Sequence, residues 1–172
     1  MLNRIKDGSF HEWFIPDLVA GLGAESYLEL GLYEGVTIKA VKESAPDCRC
    51  YGVDSKEVLI HGIIMFKMNT EEFWRSHAAA HGPFDITFID ADHSAEASWN
   101  DFRMALEYAS PDGLVILHDT NPLLKSDTQP GYSGDCWKTA ETIHMSGYEA
   151  VTLPYNPGLT IVRKRVQWGP GE

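Results

Sequence analysis

The sequence predicts an α/β fold: a Rossmann-like, doubly wound and mostly parallel sheet that ends in a C-terminal antiparallel hairpin. Short, nearly continuous apolar runs alternate with segments of helical spacing, as in sheets that helices cover on both faces. Two of these runs end in clusters of acidic residues. The 172 residues suffice for one hydrophobic core, so we expect a single domain over residues 1–172.

The first half of the chain is predicted to supply three strands. Ser9 and Glu12 have the spacing of a capping box, which predicts a helix that continues to Leu22. Apolar runs at 26–30, 49–53 and 63–68 predict strands, and residues 36–44 have helical spacing. Residues 55–62 are too few for a full crossover helix, so a turn or an extended link should join the second and third strands.

The second half is predicted to complete the sheet. Residues 70–80 are helical in composition, with Asn69 or Thr70 as the N-cap. Strands are expected at 84–89 and 114–117 with a helix between them, and a further helix at 133–146. Residues 148–153 and 159–163 flank a turn that contains proline and glycine, which predicts the terminal hairpin.

Charge and hydropathy limit the partners of the protein. The formal net charge of -11 disfavours attraction to nucleic acid phosphates or to anionic lipid. No apolar run is long enough to span a bilayer. We therefore expect a cytoplasmic protein that binds a small neutral or cationic molecule, and neither nucleic acid nor a membrane.

Acidic clusters follow two successive predicted strands. The fourth strand leads into Asp90-Ala91-Asp92-His93, and the fifth leads into His118-Asp119-Thr120-Asn121. A right-handed crossover makes the two strands parallel, so both clusters leave the same edge of the sheet. Ligands bind at that carboxyl edge in open α/β sheets. Carboxylates and imidazoles gathered there suggest a metal site, an acid–base centre, or both.

A glycine turn follows the first strand. It reads Glu29-Leu30-Gly31-Leu32-Tyr33-Glu34-Gly35, which lacks the three glycines of the dinucleotide fingerprint. Its two acidic residues would repel a pyrophosphate, so a ligand with a ribose and a cationic end fits better. Asp54, at the tip of the second strand, can accept hydrogen bonds from both ribose hydroxyls. The alternative is a tight strand-to-helix turn that binds no ligand.

Taken in order, these motifs resemble the class I S-adenosylmethionine-dependent methyltransferases. They more narrowly resemble the small branch that contains catechol and caffeoyl-CoA O-methyltransferases and the metal-dependent sugar O-methyltransferases of macrolide pathways. The resemblance runs from the first strand to about residue 138. It implies methyl transfer from S-adenosyl-L-methionine to a small hydroxylated acceptor, sugar-like or catechol-like.

The resemblance also implies a set of cofactor-binding residues: Glu29, Gly31, Gly35, Asp54, Asn69, Thr70 and Asp92. In the family, the glycine turn holds the methionine moiety, the acidic residue after the second strand holds the ribose, and polar residues after the third strand flank the adenine. Two of these residues have alternatives. Asn69 can be a plain helix cap, and Asp92 can be a solvated carboxylate that favours the start of the next helix.

Metal binding is likewise implied. Asp90 and Asp119 match the family's metal-binding aspartates, Thr120 stands where the family has an asparagine, and the expected ion is Mg²⁺, which prefers oxygen ligands. His93 replaces a lysine of the family and is the candidate catalytic base, unless it only helps to start the next helix. We expect His118 to be a structural or rim residue whose side chain points away from Asp119, because side chains alternate along a strand.

Two other functions compete with methyl transfer. Asp90 and Asp92 form a DxD pair, which in nucleotide-sugar glycosyltransferases holds a metal against a diphosphate. The chain could also be a non-catalytic cofactor-binding module of the same fold. For a methyltransferase, we expect the acceptor pocket to come from residues 121–132 or from the partner subunit of a homo-oligomer.

Overall fold

The sheet of this computed structural model has seven strands in the order β3-β2-β1-β4-β5-β7-β6, and the structure describes residues 9–129 and 131–164. Strands β1 to β5 are parallel, and β7 runs antiparallel to both of its neighbours. The strands are Ser26–Leu30 (β1), Arg49–Asp54 (β2), Ile63–Lys67 (β3), Phe84–Ile89 (β4), Ala109–His118 (β5), Ala150–Leu153 (β6) and Leu159–Arg163 (β7). The predicted fold class is confirmed.

Helices cover both faces of this sheet. They are Phe10–Leu22 (α1), Val36–Ser44 (α2), Thr70–Ser76 (α3), Ala78–His81 (α4), Ala95–Glu107 (α5) and Trp137–Met145 (α6). Ile15 and Ile38 of α1 and α2 belong to the core on one face, and Phe73, Phe102 and Ile143 belong to the core on the other. Burial from both sides explains why all five residues of β1 are buried and why the strands read as continuous apolar runs.

Several predicted boundaries change in the structure. The predicted capping box is wrong, because the Ser9 side chain makes no capping hydrogen bond and the Glu12 amide donates to the Ser9 carbonyl oxygen. The helix expected at 70–80 is broken at His77 into α3 and α4. The helix expected from residue 133 begins only at Trp137, since residues 131–136 form turns. The link at 55–62 contains no helix, as predicted.

The strand order reverses between β1 and β4, which places a crevice at their carboxyl ends. The Gly31 amide donates to the Val53 carbonyl oxygen, and the Asp90 amide donates to the Leu30 carbonyl oxygen. The glycine turn therefore lies directly beside the first acidic cluster, and β5 brings the second cluster next to the first. No helix in the described part of the chain is both long enough and apolar enough to cross a bilayer.

Candidate active site at the carboxyl edge of the sheet

A cleft of about 700 Å³ lies at this crevice, within the size range of small-molecule and cofactor sites. Loops after β1, β2, β3 and β4 form its walls. Eight of the predicted site residues line it: Glu29, Gly31, Asp54, Asn69, Thr70, Asp90, Asp92 and His93. Asp119 lies 3.3 Å from the His93 side chain at the edge of the same cleft.

Glu29 is a buried acid on the wall of the cleft. Only 2% of the residue is exposed, and the Tyr27 hydroxyl donates to its Oε2 at 2.6 Å. Burial raises the pKa of Glu29 to about 8, and the charge of Asp90 adds to this rise, whereas the Tyr27 hydrogen bond opposes it. The side chain therefore favours its protonated form at neutral pH.

Asp54 lines the cleft, but its carboxylate is largely used by the protein. Oδ2 accepts from the amides of Leu32 and Tyr33 at 2.8 and 3.1 Å, and Oδ1 accepts from the Lys56 amide at 2.8 Å. Burial raises the pKa of Asp54, but these three amides outweigh it, so the net pKa is lowered. The Ser55 hydroxyl also donates to Oδ1, at 3.5 Å, so the roughly four acceptor positions of the carboxylate are in use and a ligand hydroxyl would replace this long hydrogen bond.

Packing against backbone requires Gly31, whereas the left-handed backbone conformation favours glycine at position 35. Gly31 has φ +83°, and a Cβ added there would overlap the Asp90 backbone carbonyl. Gly35 has φ +71°, and an added Cβ would overlap the Ile60 side chain. Gly31 lines the cleft, whereas Gly35 is not among the described residues that line it.

The polar residues predicted beside the cofactor also have structural roles. The Asn69 side chain accepts from the Glu72 amide at 2.8 Å and so caps α3. Asp92 is exposed, and its carboxylate accepts from the Ser94 amide at 2.8 Å at the start of α5. Both residues nevertheless line the cleft. Each can therefore stabilise the start of its helix and also lie beside a bound cofactor.

Two carboxylates and two imidazoles converge where β4 and β5 end. His93 Nε2 lies 3.3 Å from Asp90 Oδ1, and His93 Nδ1 lies 3.3 Å from Asp119 Oδ2. Ligand atoms of Asp90, His93 and Asp119 all lie within 4.8 Å of one another, which is close enough for one metal ion. Asp119 is only 6% exposed.

The expectation that His118 points away from Asp119 is wrong. His118 Nδ1 lies 3.2 Å from Asp90 Oδ1 and 3.6 Å from Asp119 Oδ1. Asp119 has φ +60°, in the left-handed region, so the alternation of side chains stops at the end of β5. The turn brings two consecutive side chains to the same side of the sheet edge.

The cluster favours its charged forms. Hydrogen bonding to Asp90 raises the pKa of His93 to about 9 against the effect of burial, and the Tyr132 carbonyl adds to this rise. Burial raises the pKa of Asp90, but His118 and His93 outweigh it, so the net pKa lies well below its usual range. Burial lowers the pKa of His118, but the charge of Asp90 prevails and the net pKa is raised.

Thr120 is also buried but lies on the wall of a different cavity. This second cavity has a volume of about 680 Å³ and is formed by residues 120–125, Thr128 and α6. Within the described part of the chain, Thr120 Oγ1 has no hydrogen-bond partner. The residue whose ligand atom groups with those of Asp90 and Asp119 is His93. The role of Thr120 as a metal ligand stays a prediction.

Residues of the segment 131–136 contact the cluster, and no motif in the sequence predicted these contacts. His93 Nδ1 lies 2.5 Å from the Tyr132 carbonyl oxygen, and the Ser133 hydroxyl donates to Asp119 Oδ1 at 2.9 Å. The amides of Asp135 and Cys136 both donate to the His93 carbonyl oxygen. A backbone carbonyl and a serine hydroxyl carry no recognisable motif, so only the fold reveals these contacts.

Comparisons with known proteins identify the family of the chain. Residues 28–120 match the family model described as "Methyltransferase domain", which is more than half of the chain. No curated protein matches the chain in sequence.

Solved structures share the fold at low identity. The O-methyltransferase TomG of Streptomyces achromogenes, in complex with SAM, is 15% identical, with 91% of this chain and 79% of that chain covered and a TM-score of 0.69. An O-methyltransferase of Bacillus cereus, in complex with SAH, is 16% identical, with 95% and 86% covered and a TM-score of 0.69. The MycE methyltransferase of mycinamycin biosynthesis, in complex with Mg and SAH, is 18% identical, with 98% of this chain and 57% of that chain covered and a TM-score of 0.67. The chain belongs to the methyltransferase domain family and has the fold of the S-adenosylmethionine-dependent enzymes.

Proposed function

We propose that this protein transfers the methyl group of S-adenosyl-L-methionine to a hydroxyl group of a small acceptor, with the help of a divalent metal ion. The observation that carries the proposal is the cleft at the carboxyl ends of β1 and β4. It combines the buried Glu29 on one wall with the Asp90, His93 and Asp119 cluster on another.

The cofactor-binding part of the cleft follows from its charges and donors. Glu29 would bind the ammonium group of the methionine moiety, because a cation beside a buried acid with a raised pKa favours the ionised carboxylate. Asp54 would accept one ribose hydroxyl in place of the long hydrogen bond from the Ser55 hydroxyl. Asn69 and Thr70 line the same cleft beyond Asp54 and would flank the adenine.

The cluster at the ends of β4 and β5 fits a divalent cation. Two carboxylates supply negative charge, and both carboxylates and the His93 imidazole offer ligand atoms within reach of one ion. A bound ion would supply Lewis-acid activation of the acceptor hydroxyl. His118 Nδ1 lies beside Asp90 Oδ1 and would orient that carboxylate.

His93 contacts both carboxylates at 3.3 Å, and its imidazole can either accept a proton from the acceptor or bind the metal. Its position after Asp92 corresponds to the lysine of the catechol-type enzymes. The assignment of His93 as the catalytic base stays a prediction.

The acceptor would enter beside Thr128 and residues 131–135. A third cavity of about 580 Å³ shares Asp92 and His93 with the cleft and is bounded by Thr128, Gly131 and Gly134. Tyr132, a residue that is 69% exposed, offers an aromatic surface beside Gly131.

The glycosyltransferase alternative is disfavoured by the DxD pair itself. Asp92 accepts from the Ser94 amide at the start of α5 and is exposed, while Asp90 is grouped with His93 and Asp119. The ligand atoms that group with Asp90 therefore come from His93 and Asp119 rather than from Asp92.

Three measurements test the proposal. Titration calorimetry with S-adenosylhomocysteine should show binding, whereas a nucleotide-sugar should not bind. Transfer of radioactive methyl from S-adenosyl-L-methionine to a catechol or sugar acceptor should fall sharply in EDTA and return with added divalent metal.

Absence of S-adenosylhomocysteine binding would refute the methyltransferase proposal, and full turnover in EDTA would remove Asp90 and Asp119 from the metal role. Cofactor binding without transfer to any hydroxylated acceptor would favour the binding module.

A further inference from the structure

A buried acid, Asp101, lies on the inner face of α5, where apolar residues are usual. It is only 1% exposed, and the other buried residues of this helix are Ser98, Phe102 and Ala105. The Trp74 indole N–H donates to Asp101 Oδ1 at 2.8 Å, whereas Oδ2 has no hydrogen-bond partner within the described residues. A buried carboxylate with an unpaired oxygen costs stability. Neither the cofactor contacts nor the metal cluster proposed above involve this acid.

Asp101 connects α5 to α3, whose first turn lines the cleft. Trp74 of α3 is 3% exposed, and its ring also stacks on Tyr108 at a centroid distance of 6.0 Å. Burial raises the pKa of Asp101 to about 6, and the hydrogen bond from Trp74 and the nearby Thr70 side chain oppose this rise. Thr70, the first residue of α3, lines the cleft beside Asn69. The acid therefore lies against the helix that borders the proposed adenine site.

Helix α3 is too short to hold its position by itself. It has seven residues, Thr70–Ser76, and an isolated helix of this length is unstable in water. Its buried residues are Phe73 and Trp74. The Phe73 side chain can make apolar contacts only, whereas the hydrogen bond from Trp74 to Asp101 has a preferred direction. This bond therefore restricts how α3 can rotate about its axis.

We propose that Asp101 is a positioning residue for the cofactor: through Trp74, it holds α3 in the orientation that presents Thr70 to the adenine of S-adenosyl-L-methionine. The inference rests on the proposed cofactor cleft and adds a residue that is not among the described residues lining it. A residue that costs stability while it fixes the wall of a binding site fits the usual trade-off between stability and function.

The test measures the affinity of the full chain for S-adenosylhomocysteine by calorimetry. Asp101→Ala removes the acceptor, Trp74→Phe removes the donor but keeps an aromatic ring, and Asp101→Asn keeps an acceptor for the indole. Affinity should fall on the order of 10-fold in the first two variants and stay within about 3-fold of the parent in Asp101→Asn. Urea unfolding of each variant shows that it is folded under the conditions of the binding measurement.

Thr139→Val is the control for a general loss of stability. It removes a buried hydrogen bond of 2.7 Å that joins α6 to Ser98 of α5, and neither residue is among the described residues that line the cleft. The free energy of unfolding of this variant should fall, because a buried hydroxyl of Ser98 loses its partner. Its affinity for S-adenosylhomocysteine should equal that of the parent.

Double variants show whether Asp101 acts through α3. Asp101→Ala combined with Trp74→Phe should lose no more affinity than either change alone, because both remove the same hydrogen bond. Asp101→Ala combined with Thr70→Ala should also lose less than the sum of the two binding free-energy changes. Asp101→Ala combined with Glu29→Gln should give the full sum, because Glu29 would bind the other end of the cofactor.

Unchanged affinity in folded Asp101→Ala and Trp74→Phe would overturn the positioning role and leave the cofactor site standing. Full additivity between these two changes, or an equal loss in Thr139→Val, would overturn it as well. If Asp101→Ala does not fold, the affinity of Trp74→Phe decides. Failure of the unaltered protein to bind S-adenosylhomocysteine would refute the cofactor site itself, and the positioning role with it.

Discussion

Substitution of Glu29 by glutamine isolates the effect of a buried acid on stability. Glutamine has nearly the same shape, and its amide oxygen can still accept from the Tyr27 hydroxyl that now donates to Oε2. The substitution removes only the ability to ionise. Any change in how stability depends on pH is then a direct consequence of that proton.

The size of the effect follows from the two pKa values of Glu29. Burial raises the pKa in the folded protein to about 8, from 4.5 for the free side chain. Between these values, the folded protein holds one more proton than the unfolded chain, so the free energy of unfolding falls as the pH rises. The contribution of the Glu29 proton to the free energy of unfolding is fully present below about pH 4.5. At about 1.4 kcal/mol per pH unit, the loss between pH 5 and pH 8 reaches roughly 4 kcal/mol, as an upper bound.

The assay is urea unfolding, followed by tryptophan fluorescence at about pH 5, 6, 7 and 8. Other titrating groups are common to both proteins and cancel in the difference between variant and parent. This difference should shift in favour of Glu29→Gln as the pH rises. Glu34→Gln is the control, because Glu34 lines the same cleft but is exposed. A difference for Glu29→Gln that stays flat across this range would refute the assignment of a buried, protonated Glu29.

Three further predictions concern Gly31, Asp101 and Asp54. Gly31→Ala should lower the free energy of unfolding by about 2 kcal/mol or more in urea, because an added Cβ overlaps the Asp90 backbone at a positive φ; a stability equal to the parent would contradict that contact. Asp101→Asn should keep an acceptor for the Trp74 indole N–H. Burial raises the pKa of Asp101 to about 6 from 3.8, so the free energy of unfolding of the variant should rise by up to about 3 kcal/mol relative to the parent between pH 4 and pH 7. A difference in stability that does not depend on pH would contradict a raised pKa of Asp101. Asp54→Asn should cost about 1–3 kcal/mol in thermal or urea unfolding and weaken S-adenosylhomocysteine binding in calorimetry, because an amide cannot accept at both ends from three backbone amides; unchanged stability would show that those hydrogen bonds are dispensable.

The order of the strands and helices was predictable because it depends on local patterns. Buried parallel strands require continuous apolar runs, and this requirement is visible at 26–30 and 84–89 without any knowledge of the neighbours. Boundaries were less predictable where a distant contact decides them. Helix α6 begins at Trp137 because the amides of Asp135 and Cys136 bond to the carbonyl oxygen of His93, about forty residues earlier in the chain.

The sequence by itself determined the fold class, the family resemblance and the sheet edge at which the acidic clusters meet. It could do so because side-chain periodicity and the parallel order of strands fix which segments end together. Only the tertiary structure decided the roles within that edge. The positive φ of Asp119 turns its side chain toward His118, and the Tyr132 carbonyl oxygen lies against His93 Nδ1. Protonation and metal binding depend on distances of about 3 Å between residues far apart in sequence, and no local pattern encodes those distances.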